Sequence, residues 1–553
     1  MTKTIVIIGS VAAGTSVAAK ARRNDEDIEI VVFDKDTDIS YSVCGIPYVI
    51  GGEVETLGEL VPRDAKWFKD RFNIDIFTSH EVLDIDKDNK KINVKNLIND
   101  ETFSQHYDEL VIATGSIPRS LPQIKDHYKN VFKIKTINDA KSIQNYIDNN
   151  AVKNIVIIGG GFIGLEMLEQ LSSYHVSLIQ RSTLMSHLDD DMSYMIKSYL
   201  EKKVNIFTHE SIDDIEIHDE NITNVSLSSG VTLDSDLIIV AAGVLPNTKL
   251  TDKIGIENGI TGAIKINENL ETNIPHIYAV GDVAEAFHVH NKFPMYRPLG
   301  STANKMGRIA GDRLTGGDLT FKGILGTGIV RIFDMTVAYT GLTEKEAKRL
   351  NIETHIIHNI KPNKPDYMGG KEMTIKAVIE GHTNKLIGAQ IIGYDGVDKR
   401  IDVLATAITY GAKADDLFHL DLAYTPAFST TKDPVLYTGM IANNITNGRK
   451  LITPEKLLER IDDSSIHVID VRSNKQFQQS HVKSAINVPL QDLREYAQQL
   501  DKTQSIVTYC NKGTTGNAAQ NVLINLGFEN VYNLSGGNKN YQNYINMLND
   551  VSK

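Results

Sequence analysis

What this sequence has least of is cysteine: two in 553 residues, Cys44 and Cys510, far apart in the chain. That excludes a disulfide scaffold and a Cys-rich metal site. No window approaches the roughly 18 uninterrupted apolar residues that span a bilayer. The nearest, Ile155 to Leu165, contains four glycines. Basic residues are also in deficit, 58 against 70 acidic ones for a net charge of −12, so there is no global positive field for nucleic acid or an anionic membrane. Any anionic ligand has to be held by local groups. The composition, 41% hydrophobic and 23% charged, excludes low complexity and disorder. The length exceeds the roughly 250 to 300 residues at which single cores stop growing, so several domains are expected.

Lys3 followed by TIVIIGSVAAGTSVAAKA imitates a secretory leader. Its glycines have a better explanation, given next, and a cytoplasmic protein in a reducing compartment is expected, with thiols that are reactive rather than structural. Thr4 to Ile8 is a β-branched run ended by Gly9, and residues 14 to 23 read as a helix start. Gly9 and Gly14 are the outer glycines of G-x-G-x-x-G, with Val11 in the middle place, and a second strand, Ile28 to Phe33, ends at Asp34 and Lys35. In such a unit the first glycine permits the tight turn. The helix amino end, from Ala12 and Ala13 to Thr15, offers N–H groups to a pyrophosphate, and Asp34 accepts from ribose hydroxyls.

A second and complete copy begins at Gly159, 150 residues after Gly9. The strand Asn154 to Ile158 runs into Gly159, Gly160, Gly161, Phe162, Ile163 and Gly164, with Glu166 opening the helix. Two bound dinucleotides are the natural reading. At the end of this unit's next strand, Val176 to Ile179, stand Gln180 and Arg181 instead of a carboxylate, which leans toward NADPH over NADH.

At this point the chain resembles the flavin-dependent pyridine nucleotide-disulfide oxidoreductases. Three further segments carry the resemblance: Ala113-Thr114-Gly115, Ala242-Gly243-Val244-Leu245-Pro246-Asn247, and Thr272 to Asp282 with Gly281 before the final aspartate. The resemblance implies FAD in the first unit, with Asp282 on its ribityl chain, and NAD(P)H in the second. It covers residues 1 to about 445. Cys44, in Ser40-Tyr41-Ser42-Val43-Cys44-Gly45-Ile46-Pro47-Tyr48, then lies at the flavin face. Dithiol members carry C-x-x-x-x-C here, but position 49 is Val49, so electrons must reach one sulfur, cycling as a mixed disulfide or a sulfenic acid.

The pattern S-x-x-x-C-G-x-P-Y resembles the single-cysteine branch: coenzyme A-disulfide reductases, NADH oxidases and NADH peroxidases. The oxidases and peroxidases typically place a histidine where this chain has Ala12, which favours the reductase reading. In the reductases the residues matching Thr15, Arg22 and Ser40 contact substrate. Arg63, Lys66, Lys69 and Arg71 could hold the phosphates of coenzyme A, the alternative being a solvated helix face. The segment Leu422 to Ser429 matches the family's interface motif, which implies a homodimer in which Tyr424 reaches the opposite subunit's flavin and Cys44. Tyr367 is a second candidate of that kind.

After Asn443 to Gly448 the pattern restarts. Ile466 to Arg472, Ser480 to Pro489 and Ser505 to Cys510 resemble a rhodanese domain, whose C-x-x-G-x-R loop wraps N–H groups and an arginine around a sulfur-bearing anion. Here the loop reads Cys510-Asn511-Lys512-Gly513-Thr514-Thr515, with the arginine replaced and Lys512 as a partial substitute. The expected fold is α/β: two Rossmann-like dinucleotide-binding domains, an α+β dimerisation domain and a C-terminal rhodanese-like α/β domain. The expected limits are 1–115 with 244–320 for FAD, 116–243 for NAD(P)H, 321–445 for dimerisation and 450–553 for the rhodanese-like part. The expected activity is reduction of coenzyme A disulfide or coenzyme A persulfide by NAD(P)H through FAD and Cys44, with Cys510 handling sulfane sulfur. The alternatives are an oxidase or peroxidase, and a sulfur carrier or redox sensor. No metal, nucleic acid or membrane partner is expected.

Overall fold

The computed structural model describes residues 3–462 and 465–551; the outermost positions of the first and last expected domains, 1 and 553, lie outside them. Residues 1–181 with 204–326 form one compact unit, and 182–203 with 327–553 a second.

The first unit is one architecture used twice. Strands Ile277–Ala279, Glu109–Ile112, Thr4–Ile8, Glu29–Phe33 and Asp75–Phe77 form a five-stranded parallel sheet in that order. Strands Asn205–Thr208, His175–Gln180, Asn154–Ile158, Leu237–Val240 and Val131–Phe132 form another. Parallel strands buried on both faces must be apolar throughout rather than alternating. Thr4–Ile8 and the last four residues of Asn154–Ile158 are buried accordingly. Each sheet has a three-stranded antiparallel meander, 80–106 and 212–234 respectively, inserted in the chain before its strand Glu109–Ile112 or Leu237–Val240. The repeat in the sequence is therefore a repeat of whole structural modules.

The second unit carries two sheets. Strands Gly328–Ile332, Met335–Gly341, Leu386–Gly393, Glu372–Glu380 and Thr354–Pro362 make an antiparallel sheet, with helices Val397–Thr409 and Pro434–Thr446 against it. Lys450–Ile452, Asn530–Leu534, Ser505–Tyr509, Ile466–Asp470 and Ile486–Asn487 make a parallel sheet. Helix Asp190–Leu200 lies inside the stretch expected for the NAD(P)H domain but packs with this unit. The reason is electrostatic. Its Asp191 and the preceding Asp189 meet the buried ammonium of Lys376, on strand Glu372–Glu380, at 2.9 and 3.2 Å, and Glu344 reaches the same ammonium at 2.9 Å. Asp191 also meets His358 Nε2 at 2.8 Å, and Ser535 Oγ accepts from the His358 backbone N–H at 2.8 Å. No helix among the described residues is long and apolar enough to cross a membrane.

Candidate active site

Each glycine-rich loop of the first unit joins a parallel strand to a helix. Gly159 (φ +115°) could not carry a side chain, because a Cβ there would stand 2.3 Å from the Ala241 carbonyl oxygen; at Gly164 it would stand 1.8 Å from the Gly159 carbonyl oxygen. Gly161 is different. Its φ of −88° suits any residue, and a Cβ there would meet nothing within 4 Å among the described residues. Neither conformation nor protein packing calls for a glycine at that place, so what fits is a ligand lying against the backbone.

Both helices, Ala13–Asn24 and Phe162–Gln170, begin without a side-chain cap and without an acidic residue in the first turn. Helices Ile137–Asn149 and Ala65–Phe72 of the same unit are capped by Thr136 and Asp64. Uncapped amino ends leave N–H donors for an anion. The strand-end residues hold the loops in one common way. Asp34 Oδ2 accepts from Ser10 N at 2.7 Å, and Gln180 Oε1 accepts from Gly160 N at 2.8 Å. The chain therefore fits two dinucleotides, one in each loop, with Gln180 filling the carboxylate's place and Arg181 exposed beside it.

Cys44 lies on a short helical turn, Val43–Gly45, leading into helix Ile46–Ile50, whose Ile46, Pro47 and Val49 are buried. Ser40 N donates to the Ser10 carbonyl at 3.0 Å, which ties the cysteine loop to the first glycine loop. Cys44 is an exposed residue. Enough protein surrounds it that burial, then Glu166, then Asp282 push its thiol above the ordinary value, with Lys135 opposing. Its solvent access limits that shift. Asp282, named from the sequence, is held by Ser116 Oγ at 2.8 Å and Lys135 Nζ at 3.4 Å, two residues that the sequence reading missed. Glu166 was noted only as the start of a helix, yet it is the charge with the largest effect on Cys44.

Beside the cysteine loop runs a cleft of about 840 Å³. Of the expected substrate residues, Thr15, Ser40, Arg63 and Arg71 line it; Arg22 and Lys69 do not. Arg22 is buried and spends its guanidinium on the carbonyls of Phe72, Asn73, Asp25 and Glu26, so it braces the fold instead of meeting a ligand. Lys69 pairs with Asp75. Their places in the cleft are taken by Arg23 and Arg308. Helix period would have found Arg23, since Ala12, Thr15, Ser16, Ala19 and Arg23 share one face. The only tryptophan, Trp67, stands in the same cleft, with the guanidinium of Arg63 4.9 Å and that of Arg71 5.5 Å from its ring.

In the second unit Tyr424 and Tyr367 are exposed, as are Phe418, Leu420 and Phe428, which flank Tyr424 in the sequence. Cys510 directly follows strand Ser505–Tyr509 and is buried, with Gly513 left-handed (φ +95°) before helix Thr514–Asn525. Lys512 does not replace the missing loop arginine: it pairs with Glu372, which also holds Lys539.

Comparison with known proteins accords with this geometry. The pyridine nucleotide-disulphide oxidoreductase family matches residues 3–307, its dimerisation domain 328–434, and the rhodanese-like domain 453–544. The NAD(P)H coenzyme A polysulfide/persulfide reductase of Pyrococcus horikoshii is 34% identical over 79% of this chain and 97% of its own length. The coenzyme A disulfide reductase of Staphylococcus haemolyticus is 32% identical over 80% and 99%. The structure of reduced Bacillus anthracis CoADR-RHD superposes with a TM-score of 0.95 at 34% identity, covering 100% of this chain and 99% of that one. With two dinucleotide loops, a solitary cysteine beside the first and the family matched over most of its length, the chain belongs to the pyridine nucleotide-disulphide oxidoreductases and carries a dimerisation domain and a C-terminal rhodanese-like domain.

Proposed function

We propose that the protein is a cytoplasmic, homodimeric reductase of coenzyme A disulfide and coenzyme A persulfide that uses NAD(P)H and FAD. The observation that carries this reading is Cys44 alone on its turn, beside a cleft lined by Arg23, Arg63, Arg71 and Arg308. Guanidinium groups around one indole suit a ligand with several phosphates and a flat base. Coenzyme A has that composition, and its thiol end then lies toward Cys44. The domain limits expected from the sequence carry over into this reading.

FAD, when bound in the first loop, supplies the relay of two electrons between NAD(P)H and the Cys44 mixed disulfide. The chain's own residues do the rest. The Cys44 thiolate attacks coenzyme A disulfide, forming a Cys44–coenzyme A disulfide and releasing one coenzyme A thiolate. With the persulfide it attacks the inner sulfur, and hydrosulfide leaves. Two electrons then cleave the mixed disulfide to the Cys44 thiolate and a second coenzyme A thiolate. Gly9 and Gly14, the amino end Ala12 to Thr15, Asp34 and Asp282 bind and orient FAD; Gly159, Gly161, Gly164, Gln180 and Arg181 bind the nicotinamide nucleotide. The exposed Tyr424 with the exposed Phe418, Leu420 and Phe428 near it in sequence supports a homodimer in which Tyr424 and Tyr367 complete the opposite subunit's site, Tyr424 giving a proton to the departing thiolate. Ala12, in place of an imidazole, speaks against an oxidase or peroxidase.

The test is turnover of NAD(P)H by the FAD-loaded protein with coenzyme A disulfide, coenzyme A persulfide, oxygen and peroxide in separate assays. Turnover with the coenzyme A species that is lost in Cys44→Ser is expected. Rapid turnover on oxygen alone, unaffected by coenzyme A species, would sink the reading.

A further inference from the structure

We propose that Lys361, contributed by strand Thr354–Pro362 of the dimerisation sheet, is the anion-binding cation of the rhodanese-like loop and suits Cys510 to a singly charged persulfide. The inference rests on the reading of Cys510 as a sulfane-sulfur acceptor.

Among the described residues the loop has no cation of its own that is not already paired with a carboxylate. Thr515 occupies the arginine's position, and the Lys512 ammonium is neutralised by Glu372. Lys361 is placed otherwise. Its Nζ donates to Thr514 Oγ1 at 2.5 Å, at the first residue of the helix that follows the cysteine loop, and lies 4.2 Å from the Tyr437 ring centre. It is half-buried, and among the described residues no carboxylate pairs with it. Burial lowers its pKa, a Cys510 thiolate raises it, and Lys512 and Lys432 lower it, so an anion at the loop favours the ammonium form. A half-buried cation without a carboxylate, beside a thiol and the open end of a helix, calls for an anion. Asn533 is a separate feature of the same loop: it is 6% exposed, its Nδ2 donates to the Gly513 carbonyl at 3.1 Å, and its Oδ1, without a partner among the described residues, is an acceptor that takes a proton rather than an anion. That oxygen would lie 2.4 Å from a Cβ at Gly516, which itself would stand 3.1 Å from Cys510 N, so an unfilled acceptor lies against the cysteine loop. A sulfhydryl proton would fill it.

The replacement sets the charge of the donor. An arginine fork binds a dianion through two parallel bonds, whereas one ammonium, already donating to Thr514, is a point charge. A small-thiol persulfide, R–S–S⁻, suits it better than thiosulfate. The Cys510 thiolate attacks the outer sulfur, a new S–S bond forms and the old one breaks. The electron pair leaves with R–S⁻, and no net oxidation occurs. Lys361 holds the negative end of the product, Cys510–S–S⁻.

The test uses full-length, FAD-loaded protein in a Cys44→Ser background, where Cys510 is the single thiol. Cysteine persulfide and thiosulfate are offered separately, and the gain of one sulfur atom is followed by intact mass. Lys361→Met should slow loading from the persulfide by about tenfold, and Lys361→Arg should restore most of it. Thiosulfate should load poorly in the parent and faster in Lys361→Arg. If Lys361→Met loads at the parent rate while Cys510→Ser does not load, Lys361 has no such role and the reading of Cys510 survives. If Cys510→Ser still gains sulfur, or the parent never does, the reading of Cys510 itself fails, and this inference with it.

Discussion

The backbone N–H of Gly160 donates to Gln180 Oε1 at 2.8 Å, the same bond that Asp34 accepts from Ser10 in the other dinucleotide loop. Gln180 thus does the structural work of the usual aspartate without its charge. Replacing Gln180 by Asp keeps the acceptor and adds an anion where a 2′-phosphate would lie. The NADPH to NADH ratio of kcat/KM should fall by about tenfold or more in Gln180→Asp, since 1.4 kcal/mol of repulsion gives that factor. Unfolding should move little. Steady-state kinetics with both nucleotides decide it, and an unchanged ratio would place the selectivity elsewhere.

Gly161 permits a cleaner separation of binding from folding. A Cβ there has no protein atom of the described residues within 4 Å, so Gly161→Val should melt near the parent temperature and retain FAD, yet show a KM for NAD(P)H raised by about tenfold or more. Gly164→Ala should instead destabilise the protein, because its Cβ would stand 1.8 Å from the Gly159 carbonyl oxygen. Thermal unfolding and nucleotide titration of the two variants should give opposite patterns.

Burial and the Glu166 charge hold the Cys44 thiol above its ordinary value, so at neutral pH the reduced, flavin-free protein contains less thiolate than a free cysteine does. Removing a negative charge lowers a thiol's pKa. Glu166→Gln should therefore move the inflection of Cys44 alkylation to lower pH and speed alkylation at pH about 7.5, with the two proteins converging once the pH exceeds both inflections. An unshifted profile in Glu166→Gln would remove Glu166 from the site.

Those three residues also mark how much was legible in advance. Strand, glycine turn and helix were readable because local signals set them: the strand expected at Ile28 to Phe33 is found at Glu29–Phe33, and the helix expected over 14 to 23 at Ala13–Asn24. Gln180 was readable because its place is fixed by sequence distance from a glycine motif. Glu166 and Cys44 lie more than a hundred residues apart, and a contact of that span leaves no trace in spacing. Arg22 was named because it matches a substrate-contacting position of the reductase family, whereas helix period favours Arg23, and only burial shows that Arg22 faces inward. Lys361 stands in another domain than Cys510, so scanning the cysteine loop for a cation stopped at Lys512, which Glu372 already holds.

The buried ammonium of Lys376 is surrounded by Asp189, Asp191 and Glu344, and removing it leaves three carboxylates without their cation. Breaking such a buried group costs about 3–5 kcal/mol, so Lys376→Met should lower the unfolding midpoint markedly, more than any of the glycine-loop variants that merely lose nucleotide. Burial works against both charges, but for Asp191 it is outweighed by Lys376 and His358, and its carboxyl titrates far below the ordinary range; for Lys376 it is outweighed by Asp191, Asp189 and Glu344, and its ammonium titrates above it. A depressed carboxyl contributes stability that is present above its unfolded value, about 3.9, and is lost as the pH falls further. A raised ammonium contributes stability that is complete below its unfolded value, about 10.4, and is lost as the pH rises further. Between those limits the contribution should be flat. Denaturant unfolding across pH should therefore show the parent losing more stability than Lys376→Met below pH about 4 and above about 10, and parallel curves at both ends would mean that the cluster is not ionised as a group.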